Sequence, residues 1–369
     1  MEFGKFMISC YRKQYAVGQG GLHLGKIYYV NNAKEKRTFA YLYDCGCSNG
    51  AHFIENSINE IIIKLKYEYN LTGLYIYLSH AHSDHINGMT LLAQRLREFN
   101  IRSTIILPYM EDAEKIIVVG GQNNLNELST SLILHPERFT NDFVNVVYLD
   151  DEPSDNLYMN NYDDYLMTPK MRNMSDKSAI IFNDPYAQWL LIPFYNRIKP
   201  CLLDNIKNEL NILGVAIDNF LDRRFATRLR AIYREYKIDL NFSSLCLYSG
   251  TLNKANHTHT GWLHTGDINL LNDFSFDNFS NHYRDVQDNV RVMQIPHHGS
   301  RENSNSNSFD NFRNINKYFI TTQNLPNGRG QPNVSSEYLN NENIILLTES
   351  EISLWSYEQT NGVILTNFA

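Results

Sequence analysis

No run of about 18 consecutive apolar residues occurs in the chain, so no membrane-spanning helix is expected. The opening segment, MEFGKFMISCYRKQYAVGQG, has no long apolar stretch, which predicts no secretory signal. Cysteine is sparse. The five present (Cys10, Cys45, Cys47, Cys201, Cys246) are odd in number and scattered over 369 residues. That pattern excludes a disulfide framework and reads as reduced thiols in a cytoplasm. Positive charge is in deficit: the formal net charge is -7. The whole-chain balance therefore gives no general attraction to nucleic acid and leaves only local basic patches. There is no internal repeat. The apolar fraction of 43% suits a globular protein with a real core.

Alternating segments such as KIYYV and TFAYLYD read as strands, and VGQGGLHLG as a glycine-rich turn. Residues 53–66 have helical spacing, LYIYL (74–78) is a short buried-type strand, and INGMTLLAQRLREF is an amphipathic helix. SAIIF and QWLLIPFY, joined by NDPYA, read as a hairpin. Later strands are SSLCLYSG, GWLHTGD, VRVMQIPHHGS, KYFITTQ and NIILLT, with EISLWSYE and GVILTN closing the sheet. RENSNSNSFDNF reads as a mobile Ser/Asn-rich loop.

Two segments carry concentrated charge. Residues 150–165 hold Asp150, Asp151, Glu152, Asp155, Asp163 and Asp164 with no basic residue, and read as a solvated loop or as a cation or partner contact. Residues 197–238 read as a helical insertion within one domain spanning 1–369. Leu203, Ile206, Leu210, Leu213, Ile217 and Phe220 form one apolar stripe there, and Phe225, Leu229, Ile232 and Tyr236 form a second. Arg223, Arg224, Arg228, Arg230, Arg234 and Lys237 surround the second stripe. They are either a solvated face or a phosphate-contacting patch for DNA or RNA.

The stretch YLSHAHSDHINGM packs three histidines and an aspartate into six positions directly after an apolar strand. His80, His82, Asp84 and His85 follow the pattern H-x-H-x-D-H. Imidazole and carboxylate are the donors that zinc- or manganese-class ions take. After a strand, a tight loop aims His80 and His82 at one point. Asp84 and His85, opening a helix, aim at a second. Two ions about 3.5–4 Å apart suit hydrolysis, because they acidify a water and offset charge on the attacked group.

On these residues the sequence resembles the metallo-β-lactamase fold superfamily. The resemblance implies a four-layer αββα sandwich with two metals, Zn or Mn, at one edge of the sheets. It also implies a bridging aspartate and a final histidine. LHTGD supplies Asp267, and IPHHGS supplies His297 and His298. TGD followed by PHHGS, together with VGQGG and YDCGC, resembles the branch typified by the hydrolase domain of the DNA-uptake protein ComEC. Carried over residue by residue, His80 and His82 bind metal one, and Asp84, His85 and His298 bind metal two. Asp267 bridges them. His297 has a supporting role, donates a proton to the leaving group, or is structural.

Two departures stand out. The superfamily's further upstream histidine is missing: Asn241, Ser243 and Ser244 stand in that region, leaving metal one short of a protein ligand. His257, His259 and His264 are nearby substitutes. GQPN (330–333) has Gln331 and Asn333 where relatives carry histidines. His135 reads as a helix-end or loop residue.

The expectation is a cytoplasmic metallohydrolase, foremost a phosphodiesterase or nuclease in which metal-bound hydroxide attacks the scissile phosphorus. The alternatives are a hydrolase of a small ester, cyclic nucleotide, lactone or thioester, and a component of a bacterial defence system that works with a larger protein partner.

Overall fold

The computed structural model describes residues 8–30, 34–49, 51–68, 70–121, 127–140, 142–150, 173–175, 180–184, 187–236, 241, 243–251, 261–323, 334–348, 353–359 and 364–367. The first half runs β1 (Ser9–Gln14), β2 (Gly20–Val30), β3 (Lys36–Cys47), α1 (Ala51–Lys66), β4 (Leu71–Tyr77), α2 (Ser83–Ile86), α3 (Met89–Glu98), β5 (Ser103–Pro108), α4 (Asp112–Gly121), α5 (Glu127–Leu134), β6 (Val144–Asp150) and β7 (Asn173–Ser175). The second half runs β8 (Ile180–Asp184), β9 (Ala187–Phe194), α6 (Pro200–Leu213), α7 (Ala226–Glu235), β10 (Cys246–Thr251), β11 (Gly261–His264), α8 (Asp273–His282), β12 (Val290–Gln294), β13 (Lys317–Thr321), α9 (Ser336–Leu339), β14 (Ile344–Leu347), β15 (Leu354–Gln359) and β16 (Ile364–Asn367).

Among the described residues, one sheet has the order β16-β15-β1-β2-β3-β4-β5-β6-β7, and the other β14-β13-β12-β11-β10-β9-β8. Strand periodicity explains the layering. Along β3, Phe39, Tyr41 and Tyr43 enter the core between the sheets, where Trp189, Leu191 and Leu247 of the opposite sheet meet them. Their neighbours Ala40 and Leu42 face the other way, into the core beneath the helices. β4 repeats the division, with Tyr75 and Tyr77 inward and Leu74 and Ile76 outward. In α1, Ile54, Ile58, Ile61, Ile62 and Leu65 fall on one face and are buried against this sheet. On the far side, Cys246 and Tyr248 of β10 pack with Phe279 and Tyr283 of α8 and its C-terminal end. The layer order is helix, sheet, sheet, helix, as expected from the sequence.

β3 to β7 run parallel, and so do β11 to β14. Carboxyl ends of parallel strands gather at one edge, where open α/β sheets place their ligands. The hairpin expected around NDPYA forms as β8–β9. EISLWSYE and GVILTN do not extend the sheet of β12–β14. Instead β15 pairs with β1 and β16 with β15, in the other sheet.

The segment expected as a helical insertion is packed, not projecting, over its described residues 197–236. Leu203, Ile206, Leu210, Phe220, Leu229 and Ile232 join the core beneath the first sheet's helices. A methyl on Gly121 of α4 would meet Tyr233 Cβ at 2.4 Å, so α4 and α7 touch closely. Of the first apolar stripe, Ile217 stays exposed. RENSNSNSFDNF is also packed. Asn303, Ser304, Phe309 and Phe312 are buried, and Asn305 and Ser308 close a reciprocal capping box. Its phenylalanines anchor a stretch whose Ser/Asn content had suggested mobility. No described helix is long and apolar enough to cross a membrane.

Candidate metal centre

The loop after β4 and the loops after β11 and β12 meet at this edge. Leu245 N donates to Ser79 O at 2.7 Å, and His297 N donates to Gly266 O at 3.0 Å. His80, Asp84, His85, Asp267 and His298 come together there. His80 Nε2 lies 2.9 Å from His82 Nδ1 and 3.4 Å from Asp267 Oδ2. The other oxygen, Asp267 Oδ1, lies 3.3 Å from His85 Nε2 and 3.8 Å from His298 Nε2. His298 Nε2 lies 3.2 Å from Asp84 Oδ2. The Asp267 carboxylate thus stands between two donor groups, one oxygen toward each. Donor atoms of His80, His85 and Asp267 all lie within 4.8 Å of one another, and so do those of Asp84, His85 and His298. His85 Nε2 is central to both groups.

Hydrogen bonds fix which ring nitrogen points inward. His298 Nδ1 donates to Thr321 O at 2.9 Å, and a carbonyl can only accept. His85 Nδ1 donates to Asp44 Oδ2 at 2.7 Å. Ser79 Oγ gives its one hydrogen to Asp44 Oδ2 at 2.9 Å, so it accepts from His80 Nδ1 at 3.0 Å. All three rings therefore turn Nε2, the nitrogen that carries the lone pair in the neutral form, toward the centre. Asp44 also accepts from Ser79 N at 2.7 Å and is fully buried, in a left-handed conformation with φ 57°. This orienting aspartate was not singled out from the sequence. The signal available was YDCGC, which marked a resemblance but gave no role to its carboxylate. Ser244 answers for the region without a histidine: its Oγ accepts from Asp267 N at 3.0 Å and so steadies the central aspartate.

The donors fit a divalent ion. His85 Nε2 and Asp267 Oδ1 are buried, face each other, and have no hydrogen-bond partner. Leaving two such groups unpaired is costly, and a cation held between them removes the cost. Nitrogen plus carboxylate oxygen is a donor set for zinc or manganese.

The charges run the same way. Burial disfavours the His85 imidazolium, but Asp267, Asp44 and Asp84 outweigh it and hold its pKa well above the usual value. Burial likewise opposes charge on His298, and Asp267 and Asp84 raise it. Burial and then His85 push His80 well below the ordinary range. Burial alone would raise Asp84 and Asp267, but the histidines beside them reverse it and lower both.

His297 belongs to neither donor group, its Nε2 lying 3.8 Å from Asp267 Oδ2. His264 is not at the centre. It is buried between the sheets, its ring 4.2 Å from His23 and 4.8 Å from Tyr43, so the short site is not completed by it. His135 follows the last turn of α5, its N donating to Ser131 O. His257, His259, GQPN, Lys237 and most of the acidic stretch lie outside the described residues.

No family model matches the chain. Hydroxyacylglutathione hydrolase 1 of Vibrio vulnificus is 29% identical over 148 residues, which cover 36% of this chain and 57% of that relative. The match thus spans little more than half of the relative's length. Among solved structures, a long form RNase Z from yeast has a TM-score of 0.41 at 9% identity, covering 98% of this chain and 50% of that one. The metallo-β-lactamase MIM-1 from Novosphingobium pentaromativorans has a TM-score of 0.25 at 10% identity, covering 80% of this chain and 78% of that one. The chain thus has the αββα sandwich of the metallo-β-lactamase fold, with an H-x-H-x-D-H loop that meets an aspartate and a histidine from the second sheet.

Proposed function

We propose that this chain is a metal-dependent hydrolase acting on phosphodiesters, a nuclease or phosphodiesterase of the ComEC-like branch. The observation that carries the reading is the Asp267 carboxylate, with His80 on one oxygen and His85 and His298 on the other. His80, His82 and Asp267 would hold one ion, and Asp84, His85, His298 and Asp267 the second. When bound, zinc or manganese ions acidify water and offset charge on the attacked group. The chain's own part is orientation. Asp44, Ser79 and Thr321 fix the rings. His297, partly exposed beside Asp267, donates a proton to the leaving oxygen.

The phosphodiester preference draws on the PHHGS motif and on the arginines of α7 and the turn before it. Arg228 pairs with Glu209 and Arg224 with Asp222, while Arg223 carries an exposed charge at the same end of the insertion. DNA or RNA would meet this face. The likeness to a hydroxyacylglutathione hydrolase favours a second reading, a small acyl conjugate as substrate.

One panel separates the two. Purified protein is incubated with Mn²⁺ or Zn²⁺ and single-stranded DNA, duplex DNA, RNA, a bis-aryl phosphodiester or hydroxyacylglutathione, with Asp84→Ala alongside. Phosphodiester cleavage lost in Asp84→Ala is expected. Cleavage that survives the substitution removes the mechanism, and turnover of the acyl conjugate alone moves the assignment to the second reading.

A further inference from the structure

The turn after the histidine pair carries a side chain that spans both loops of the second sheet. Asn303 is 4% exposed. Its backbone is held on both sides: Asn303 N donates to Ser300 O at 3.2 Å, and Leu270 N donates to Asn303 O at 2.7 Å. Its Nδ2 donates to Asp267 O at 3.0 Å. A carbonyl cannot donate, so the amide nitrogen must face it, and Oδ1 is turned the other way. There it meets His297 Nδ1 at 2.5 Å. An amide oxygen only accepts, so Nδ1 carries the hydrogen. In the neutral ring Nε2 then holds the lone pair, on the side of Asp267 Oδ2. The backbone of His297 is left-handed, with φ 47°, an arrangement such a residue keeps only when its surroundings impose it.

We propose that Asn303 is a positioning residue that locks His297 in the Nδ1–H form and turns an Nε2 electron pair to the reacting side. This rests on the hydrolase reading above and sharpens it. In its neutral form a ring so locked has no Nε2 hydrogen to give at the outset. The proton delivered to the leaving oxygen must first arrive from the attacking water. The water O–H bond breaks and its proton goes to Nε2 as the new bond to the substrate forms. The bond to the leaving oxygen then breaks, and the same proton passes to that oxygen, returning the ring to its starting form. The main-chain carbonyl of Asp267 thereby sets the amide, and the amide sets the ring.

The test is a long-range ¹H–¹⁵N correlation on the zinc-loaded, ¹⁵N-histidine-labelled full chain, with the His297 signals assigned by their loss in His297→Ala. Nδ1–H is expected in the wild type, a shift toward Nε2–H in Asn303→Ala, and retention of Nδ1–H in Asn303→Asp, which keeps the acceptor. Zinc content should not change. On the substrate cleaved in the panel, kcat should fall about 10–100-fold in Asn303→Ala with KM nearly constant, and Asn303→Asp should recover much of it. Nε2–H in the wild-type protein overturns the proposal without any variant, and so does an Asn303→Ala protein with unchanged tautomer and kcat. The spectrum needs no substrate, so a chain that shows Nδ1–H yet cleaves no phosphodiester refutes the substrate reading and leaves the lock standing.

Discussion

Asp44 is fully buried and belongs to neither donor group, yet it orients two of the rings that face the centre. Removing its negative charge with Asp44→Asn leaves the size of the side chain unchanged and weakens its hold on His85 and Ser79. Metal affinity should fall about 10–100-fold, as for other carboxylates behind ligating histidines, and isothermal titration with Zn²⁺ measures it. The same residues set a pH dependence. In the metal-free fold His85 and His298 have raised pKa values, so they hold protons to higher pH than free histidine. An ion must displace those protons. Affinity should therefore strengthen from roughly pH 6 upward and flatten once both raised pKa values are passed. Affinity that is constant across that window would contradict the donor assignment.

The buried pair between the sheets titrates in the opposite sense. Burial, and then Arg12, lowers His264 to about 3, and burial, then His264 and Arg12, lowers His23. Unfolding lets both take up protons near the ordinary histidine pKa of about 6.5. Their neutral burial therefore favours the fold above that value and costs stability as pH falls below it. His264→Phe should narrow the gap in Tm between pH 7 and pH 5.

At the scale of elements, a glycine governs how the central aspartate is presented. Gly266 has φ 53°, and a methyl there would meet Ser244 Oγ at 2.4 Å and Ser79 Cβ at 2.7 Å. Gly266→Ala should lower stability by about 1–3 kcal/mol and reduce metal content, read by thermal unfolding and elemental analysis. Leu229, buried where α7 meets α4, gives the complementary outcome. Leu229→Ala should cost about 2–5 kcal/mol and leave metal content unchanged. The six-residue pattern at 80–85 was legible because period and chemistry coincide in one short loop. Asp267 and His298 were legible only through resemblance, since nothing local shows that distant loops converge. Asp44, Ser244 and Asn303 were not legible. Each acts by a hydrogen bond across the fold, and aspartate, serine and asparagine in turns have many commoner reasons to be there. Strand alternation predicts the layers, but it does not say which sheet a strand joins, so the pairing of β15 with β1 is not legible in the sequence.

Over the whole molecule, the centre joins the two sheets. His80 and His85 belong to one, and Asp267 and His298 follow strands of the other. A ligand bound only by the folded state stabilises it by mass action. Chelation should therefore lower Tm, and Mn²⁺ or Zn²⁺ should restore it. The most direct measurement is anomalous diffraction from crystals grown with Mn²⁺ or Zn²⁺. Ions about 2.0–2.3 Å from His85 Nε2 and from the Asp267 oxygens are expected, with His80 and His82 on one side and Asp84 and His298 on the other. Strong anomalous peaks found only away from Asp267, or no bound ion after loading, would contradict the shared-carboxylate centre.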